Sequence, residues 1–188
     1  MSNRILLASR SPRRRDLLGW AGFSLEIQPS HADETRRDGL SPVDHAVDVA
    51  LRKGLAVVSA LPVVAADTVV HRGDRIFDMP ADRDEARAHL TELSGGWHDV
   101  TTGVYVHVRG SEVVFPVTTG VRFRTLSSTE LDAYLATGDA DDKAGAYGIQ
   151  GPGGALIAEI RGSWTNVMGL PVEETIAALG RLGVHPWA

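Results

Sequence analysis

Residues 9–14 read Ser-Arg-Ser-Pro-Arg-Arg, two hydroxyls and three guanidinium groups in one short stretch. They follow an apolar run at residues 4–8 and lead into a helix with Ser11 as N-cap and Pro12 in its first position. A helix N-terminus presents unpaired N–H groups and the positive end of the helix dipole, so an anion is stabilised there. Cations are not: each opposes the dipole by about 0.3–1 kcal/mol. An anion held among them accounts for arginines at that end, because the planar guanidinium fork matches phosphate oxygens. The alternative reading is a solvated helix face.

Asp67-Thr68 interrupts a nearly continuous run of small and branched apolar residues at 62–70. A carboxylate inside such a run is costly unless it is bonded, paired or bound to metal. It suits a Mg²⁺ ligand or a base that orients water, against the alternative of a buried Asp satisfied by backbone N–H groups. Asp33-Glu34 lies in a polar loop, and Lys53 lies on what reads as the exposed side of an apolar helix. Taken singly, each reads as solvated surface. Residues 142–151, Asp-Lys-Ala-Gly-Ala-Tyr-Gly-Ile-Gln-Gly, form a loop whose glycines allow backbone to approach a ligand. Gln150 there offers one donor side and one acceptor side to a base edge, and Tyr147 can stack or pack. Residues 162–171 read as a second loop able to shape a pocket or an interface. Seven scattered histidines make no HxH or HExxH pair, and the Walker, GxGxxG and GxSxG patterns are absent. Zinc-site, P-loop, Rossmann and nucleophile-elbow chemistry are therefore not expected.

The elements that must position these groups follow from local chemistry. The run at 4–8 reads as a buried strand, and the helix it leads to ends at Gly22 with Leu17, Leu18 and Ala21 on one face. Residues 23–27 alternate like a strand. Ser41-Pro42 opens a second helix with Val43, Val47, Ala50, Leu51 and Leu55 as its apolar face. Residues 62–70 read as a central strand buried on both faces, followed by a turn into residues 75–77. Asp82 caps a third helix that ends at Ser94-Gly95-Gly96. Residues 100–108 and 112–124 read as a long antiparallel pair, and Ser127 to Glu130 as the capping box of a helix reaching Ala136. A strand at 155–160 and a helix at 171–182 complete an α/β chain with a mixed sheet, expected as one domain over residues 1–188.

At 188 residues the chain can bury a sizeable core without staples, and it contains no cysteine for disulfides, thiolate metal sites or a thiol nucleophile. The absence of cysteine fits a reducing compartment, and the charges near the N-terminus follow the apolar run rather than precede it, so a cytoplasmic setting is expected. No apolar run approaches the length of a membrane span. With 19 Lys+Arg against 24 Asp+Glu, the net charge of −5 opposes bulk nucleic-acid binding. A basic cluster in an acidic protein points instead to a specific anion site.

Ser9 to Arg14, Asp33-Glu34, Lys53, Ala66-Asp67-Thr68, Leu93-Ser94-Gly95, Asp142 to Gly151 and Gly169-Leu170-Pro171 occur in an order that resembles the Maf family of nucleoside triphosphate pyrophosphatases. The resemblance spans nearly the whole chain. It implies a mixed, twisted sheet flanked by helices, with two lobes around a cleft, as in the inosine triphosphate pyrophosphatases. It implies hydrolysis of a nucleoside triphosphate to monophosphate and pyrophosphate with a divalent cation, Mg²⁺ or Mn²⁺, and a homodimer. Asp67 becomes the proton acceptor, and Glu34 and Asp67 the metal carboxylates, with ligand and base not separable from sequence. Lys53 joins Asp67 and Glu34 in the catalytic set. Ser9, Ser11, Arg13, Arg14 and Lys143 become the phosphate-binding set. Arg13, Thr68 and Gln150 match the specificity positions of the branch that prefers dTTP and UTP. The 7-methyl-GTP branch differs around Ala144 to Gln150. Two other readings stand beside this one: a nucleotide-binding regulator of septum formation with little turnover, and a pyrophosphatase for modified purine triphosphates.

One position departs from the family pattern. Where the family carries a phosphate-binding Lys before a Pro, this chain has Met79-Pro80. Losing a charged donor costs about 1.5–3 kcal/mol, or roughly ten- to hundredfold in rate if uncompensated, with Arg75 or Arg83 as candidate substitutes. Met79→Lys is expected to raise the rate of pyrophosphate release by up to that factor; an unchanged rate would show that the position is already covered.

Overall fold

The computed structural model describes residues 3–187. In chain order the elements are β1 (Arg4–Leu7), α1 (Pro12–Trp20), β2 (Ser24–Ile27), α2 (Pro42–Leu55), β3 (Val63–Arg72), β4 (Arg75–Phe77) and α3 (Arg83–Leu93). Then come β5 (Trp97–Val108), β6 (Ser111–Phe123), α4 (Ser128–Leu135), β7 (Ile157–Arg161), α5 (Trp164–Met168) and α6 (Val172–Arg181). The expected caps are present. Ser11, Ser41 and Asp82 each accept from a backbone N–H of the first turn, and Ser127 with Glu130 closes a full capping box.

The sheet has seven strands, in the order β2-β1-β3-β5-β6-β7, with β4 added beside β3. β1 pairs in parallel with β2 and β3, and every other pairing is antiparallel. This is the mixed α/β sheet expected from the sequence. β3 is its hinge element. On one edge it pairs with β5 along its length, from Val63 to His71. On the other edge β1 stops at Val64 and β4 starts at Val70, so residues 65–69 face no strand there among the described residues. Asp67 lies at the centre of that gap.

Alternation along β3 then assigns its side chains to two faces. Val63 and Ala65 pack with Leu6, Ala50 and Tyr105 beneath α2, whereas Val64 and Ala66 pack with Ile5, Leu7, Leu17 and Leu18 on the α1 side. Continuing the alternation, Asp67 faces α2 and Thr68 faces α1. A further core cluster gathers Phe77, Leu90, Phe123, Leu135 and Tyr147 at the other end of the sheet. The cleft described below opens where this cluster meets the one around α1.

Three expectations need correction. Of the expected apolar face of α2, Val43, Val47, Ala50, Leu51 and Leu55, only Ala50 is fully buried: Leu55 is exposed, and the buried residues are Pro42, His45, Ala46, Val49, Ala50, Lys53 and Gly54. The helix lies so close to the sheet that small residues, rather than bulky ones, form its contact stripe. Residues 162–171 are not all loop, because Ser163 caps the short helix α5. The glycine-rich segment also contains two short 3₁₀ turns, at Ala144–Ala146 and Pro152–Leu156, before β7 begins.

The approach of α2 depends on glycine. Gly103 on β5 lies directly across from Asp67, and a Cβ there would overlap the Ala46 carbonyl. Gly103→Ala should therefore push α2 off the sheet, with a loss of about 1–3 kcal/mol. In a chain of this length that is a fall in Tm of roughly 2–12 °C by thermal melting.

Candidate functional site

Lys53 is the first surprise. The expectation of an exposed lysine is wrong, for its side chain is only 10% accessible and lies on the face of α2 that packs against β3. A buried ammonium needs anionic partners, and it has two: Nζ is 2.8 Å from Asp67 Oδ1 and 2.8 Å from Glu34 Oε2. The loop carrying Glu34 is thus tied to the sheet through one lysine. Asp33 does not join it. Its carboxylate accepts from the Thr35 backbone N–H and it is exposed, so only one residue of the acidic pair reaches the site.

Arg14 faces the other side of β3 and is buried against neutral acceptors. Its Nε donates to the Gly169 carbonyl at 2.8 Å, Nη2 to Thr68 Oγ1 at 3.0 Å and Nη1 to Ser9 Oγ at 3.3 Å. Burial lowers its pKa, while the negative charges of Asp67 and Glu34 oppose that shift. Thr68 Oγ1 also lies 2.9 Å from Thr102 Oγ1, its cross-strand partner on β5. The guanidinium is therefore held by a hydroxyl network and by the end of α5, with no carboxylate bonded to it among the described residues. Ser9 Oγ accepts from the Ser11 N–H and from Arg14, and Ser11 Oγ accepts from the Arg14 N–H. Both serines act here as acceptors, which leaves their hydroxyl protons available to a ligand.

These residues open onto one cleft of about 500 Å³. Ser11, Arg13, Arg14, Glu34, Lys53, Asp67 and Thr68 line one side, and Lys143, Tyr147 and Gln150 of the glycine-rich segment line the other. Four cations and three carboxylates, the third being Asp139, line this cleft of a chain whose net charge is −5. An adjoining cavity of about 450 Å³ shares Ser11, Arg14, Glu34 and Lys53, and is completed by Ser9, Arg10 and His31. Arg13 and Gln150 make no side-chain hydrogen bond among the described residues, so both are available to a ligand. The tertiary structure thus gathers Glu34, Lys53, Asp67, Thr68, Arg13, Arg14, Ser9, Ser11, Lys143 and Gln150 around two connected cavities. Met79 stands apart. It is 61% exposed and lines neither cavity. Arg75 pairs with Glu92 and Arg83 donates to the Leu135 carbonyl, so both candidate substitutes are engaged elsewhere.

A family model described as Maf-like protein matches residues 4–182. The chain belongs to the Maf family. It is 46% identical to a dTTP/UTP pyrophosphatase of Anaeromyxobacter dehalogenans (strain 2CP-C), over 100% of this chain and 98% of the relative. It is 40% identical to one from Bacillus pumilus (strain SAFR-032), over 98% and 100% of the two chains. For one from Myxococcus xanthus (strain DK1622) the identity is 44%, over 97% and 95%. The Maf resemblance read from the motifs is therefore correct.

Sequence reasoning missed several groups that build this Maf-family cleft. Gly169 lies in the loop expected to shape a pocket, but its contribution is a backbone carbonyl to Arg14, which no side-chain pattern announces. Asp139 stands four residues before Lys143 in a stretch that forms no helix, so the spacing carries no signal. His98 has none either. It is buried on β5, with Nε2 2.8 Å from the Tyr147 hydroxyl, and edge-to-face contacts join it to Tyr147 and Phe123. Tyr147 therefore packs into the wall of the cleft. Burial, helped by the charges of Arg72 and His71, pushes the His98 pKa down to about 3 from 6.5. The unfolded chain thus binds a proton below pH 6.5 that the folded one refuses until about pH 3. Stability should rise with pH across that window and fall on acidification, by an amount on the order of 4 kcal/mol from this group. Denaturant unfolding at pH 7, 5.5 and 4 should show a smaller acid loss for His98→Phe than for the native chain.

Proposed function

We propose that this chain hydrolyses dTTP and UTP to the monophosphate and pyrophosphate. The observation that carries the reading is the shared cleft, in which a buried lysine bridges two carboxylates beside a buried arginine that has no bonded anion. The relatives named dTTP/UTP pyrophosphatase, similar along their whole length, support the choice of nucleotide.

A triphosphate carries about four negative charges, which repel a nucleophile until they are neutralised. Arg13 and Arg14 supply guanidinium forks to the phosphate oxygens, and Lys143 supplies a third cation from the opposite wall. Ser9 and Ser11 donate their hydroxyl protons. Arg14, already fixed on three acceptors, needs no reorganisation to receive charge, which is the condition for electrostatic stabilisation of a transition state. Asp67 accepts the proton of the attacking water, and Lys53 holds its carboxylate in place. Water adds across the α–β anhydride, and pyrophosphate leaves. Thr68 and Gln150, with Arg13, sit where nucleotide identity is read.

A divalent cation fits this donor set. Lys53 occupies one oxygen of each carboxylate, leaving Asp67 Oδ2 and Glu34 Oε1 without a protein partner among the described residues. No cluster of three His, Cys, Asp or Glu able to hold a metal occurs among the described residues, so two carboxylates would leave most of an ion's coordination to phosphates and water, the habit of Mg²⁺. Asp67 and Glu34 would hold it, and when bound it neutralises developing phosphate charge. No helix among the described residues is long and apolar enough to cross a membrane. A homodimer, implied by the resemblance, and a cytoplasmic setting, which the absence of cysteine fits, complete the reading.

Asp67→Asn keeps an acceptor for Lys53 but removes the base. Pyrophosphate release from dTTP should fall roughly 10²–10⁴-fold in protein that still folds, with a lowered melting temperature because Lys53 loses one of its two matching charges. Native-level turnover by this variant would remove Asp67 from the role, and native protein inert toward a panel of canonical and modified triphosphates would remove the activity itself.

A further inference from the structure

The segment that carries Lys143 and Gln150 is wrapped around one side chain. Asp139 Oδ2 accepts from the Tyr134 hydroxyl at 3.0 Å and from the Gly153 backbone N–H at 3.1 Å. Its other oxygen lies 3.2 Å from Lys143 Nζ, and its carbonyl accepts from the same ammonium at 2.9 Å. One carboxylate thus ties α4 to both ends of a loop that crosses the cleft. The carboxylate is only 16% accessible, so these bonds are shielded from water.

The glycines of the segment are explained by this packing. A Cβ at Gly148 would lie 2.7 Å from Lys143 Cε, and one at Gly151 3.1 Å from Asp139 Oδ1. One at Gly153 would press on the Gly148 carbonyl at 2.6 Å and on the Tyr134 hydroxyl at 3.0 Å. The backbone therefore closes on the Asp139–Lys143–Tyr134 cluster from three points. Between them Ala146 sits at φ +60°, a left-handed conformation that costs a non-glycine residue about 1 kcal/mol or more. That strain persists because the Tyr134 hydroxyl also lies 3.1 Å from the Ala146 carbonyl, and the Gly145 N–H donates to the Asp78 carbonyl.

We propose that Asp139 is a positioning residue for nucleotide selection, fixing the loop so that Gln150 meets the base edge at one place. This rests on the nucleotide reading given above. A loop cut loose from Asp139 still presents the Gln150 amide, but over a range of positions from which it can satisfy a mismatched base as well as a matched one. UTP and CTP share sugar and phosphates and differ only at that edge, so their ratio isolates the effect.

The test has two arms on Asp139→Ala and Asp139→Asn. In the first, amide hydrogen exchange is measured without nucleotide. Faster exchange confined to residues 143–153 is expected in the alanine variant, and native exchange there would overturn the proposal. In the second, kcat/KM for pyrophosphate release is compared for UTP and CTP. The UTP preference should drop roughly tenfold in the alanine variant and recover in part with asparagine, which keeps one acceptor for Gly153 and Tyr134. An equal loss on both nucleotides would mark a merely structural role and overturn the proposal. Should the alanine variant fail to fold, both arms are read on asparagine, with smaller changes in the same directions expected and native behaviour in both overturning the proposal. Native protein that turns over neither nucleotide would refute the pyrophosphatase reading, while the exchange arm still decides whether Asp139 fixes the loop.

Discussion

An ammonium group buried beneath a helix must lie against carboxylates, and much of this molecule is arranged so that Lys53 does. Two acidic residues, one from a loop and one from the central strand, meet on its nitrogen. Removing Asp67, itself mostly buried, would leave the ammonium matched only by the exposed Glu34, a far larger cost than losing a surface ion pair. The close seat of α2 on the sheet serves the same contact. Gly103 opposite Asp67, and Gly54 against the Tyr105 ring, let the helix backbone come near enough for the lysine to reach the strand.

The second constraint is the gap in the edge of β3. A strand whose flank is fully paired has no room for a ligand beside it. Here β1 ends and β4 begins with residues 65–69 between them, and the gap faces the start of α1. Alternation then separates the chemistry cleanly. Asp67 turns to α2 and its lysine, whereas Thr68 turns to Arg14 and the end of α5. Adjacent residues of one strand thus serve two different clusters of the same cleft. Arg14 is held by three neutral acceptors, an arrangement that fixes a cation without cancelling it. Such a cation suits an anionic ligand.

The opposite wall is built on another principle. Its loop is short of regular structure and rich in glycine, so its shape comes from side chains inside it: Asp139 with Lys143 and Tyr134, and the His98–Tyr147–Phe123 aromatic group behind it. A rigid sheet-based half thus faces a half whose geometry depends on a few buried hydrogen bonds. Such a division suits a site that must hold phosphates firmly and discriminate among bases that differ by a few atoms.

The sequence by itself determined the element order, the helix caps and the α/β class, because capping and hydrophobic alternation are local properties of neighbouring residues. It also determined family membership, since the ordered motifs need no coordinates to be read. Tertiary structure alone decided that Lys53 is buried, because an apolar stripe of Ala and Gly is legible only once the facing sheet is known. It decided that Glu34 enters the cleft while Asp33 does not, that Met79 lies outside it, and that Asp139 anchors a loop. Each of those outcomes depends on contacts between residues distant in the chain, and local spacing carries no information about which distant partner fills the space.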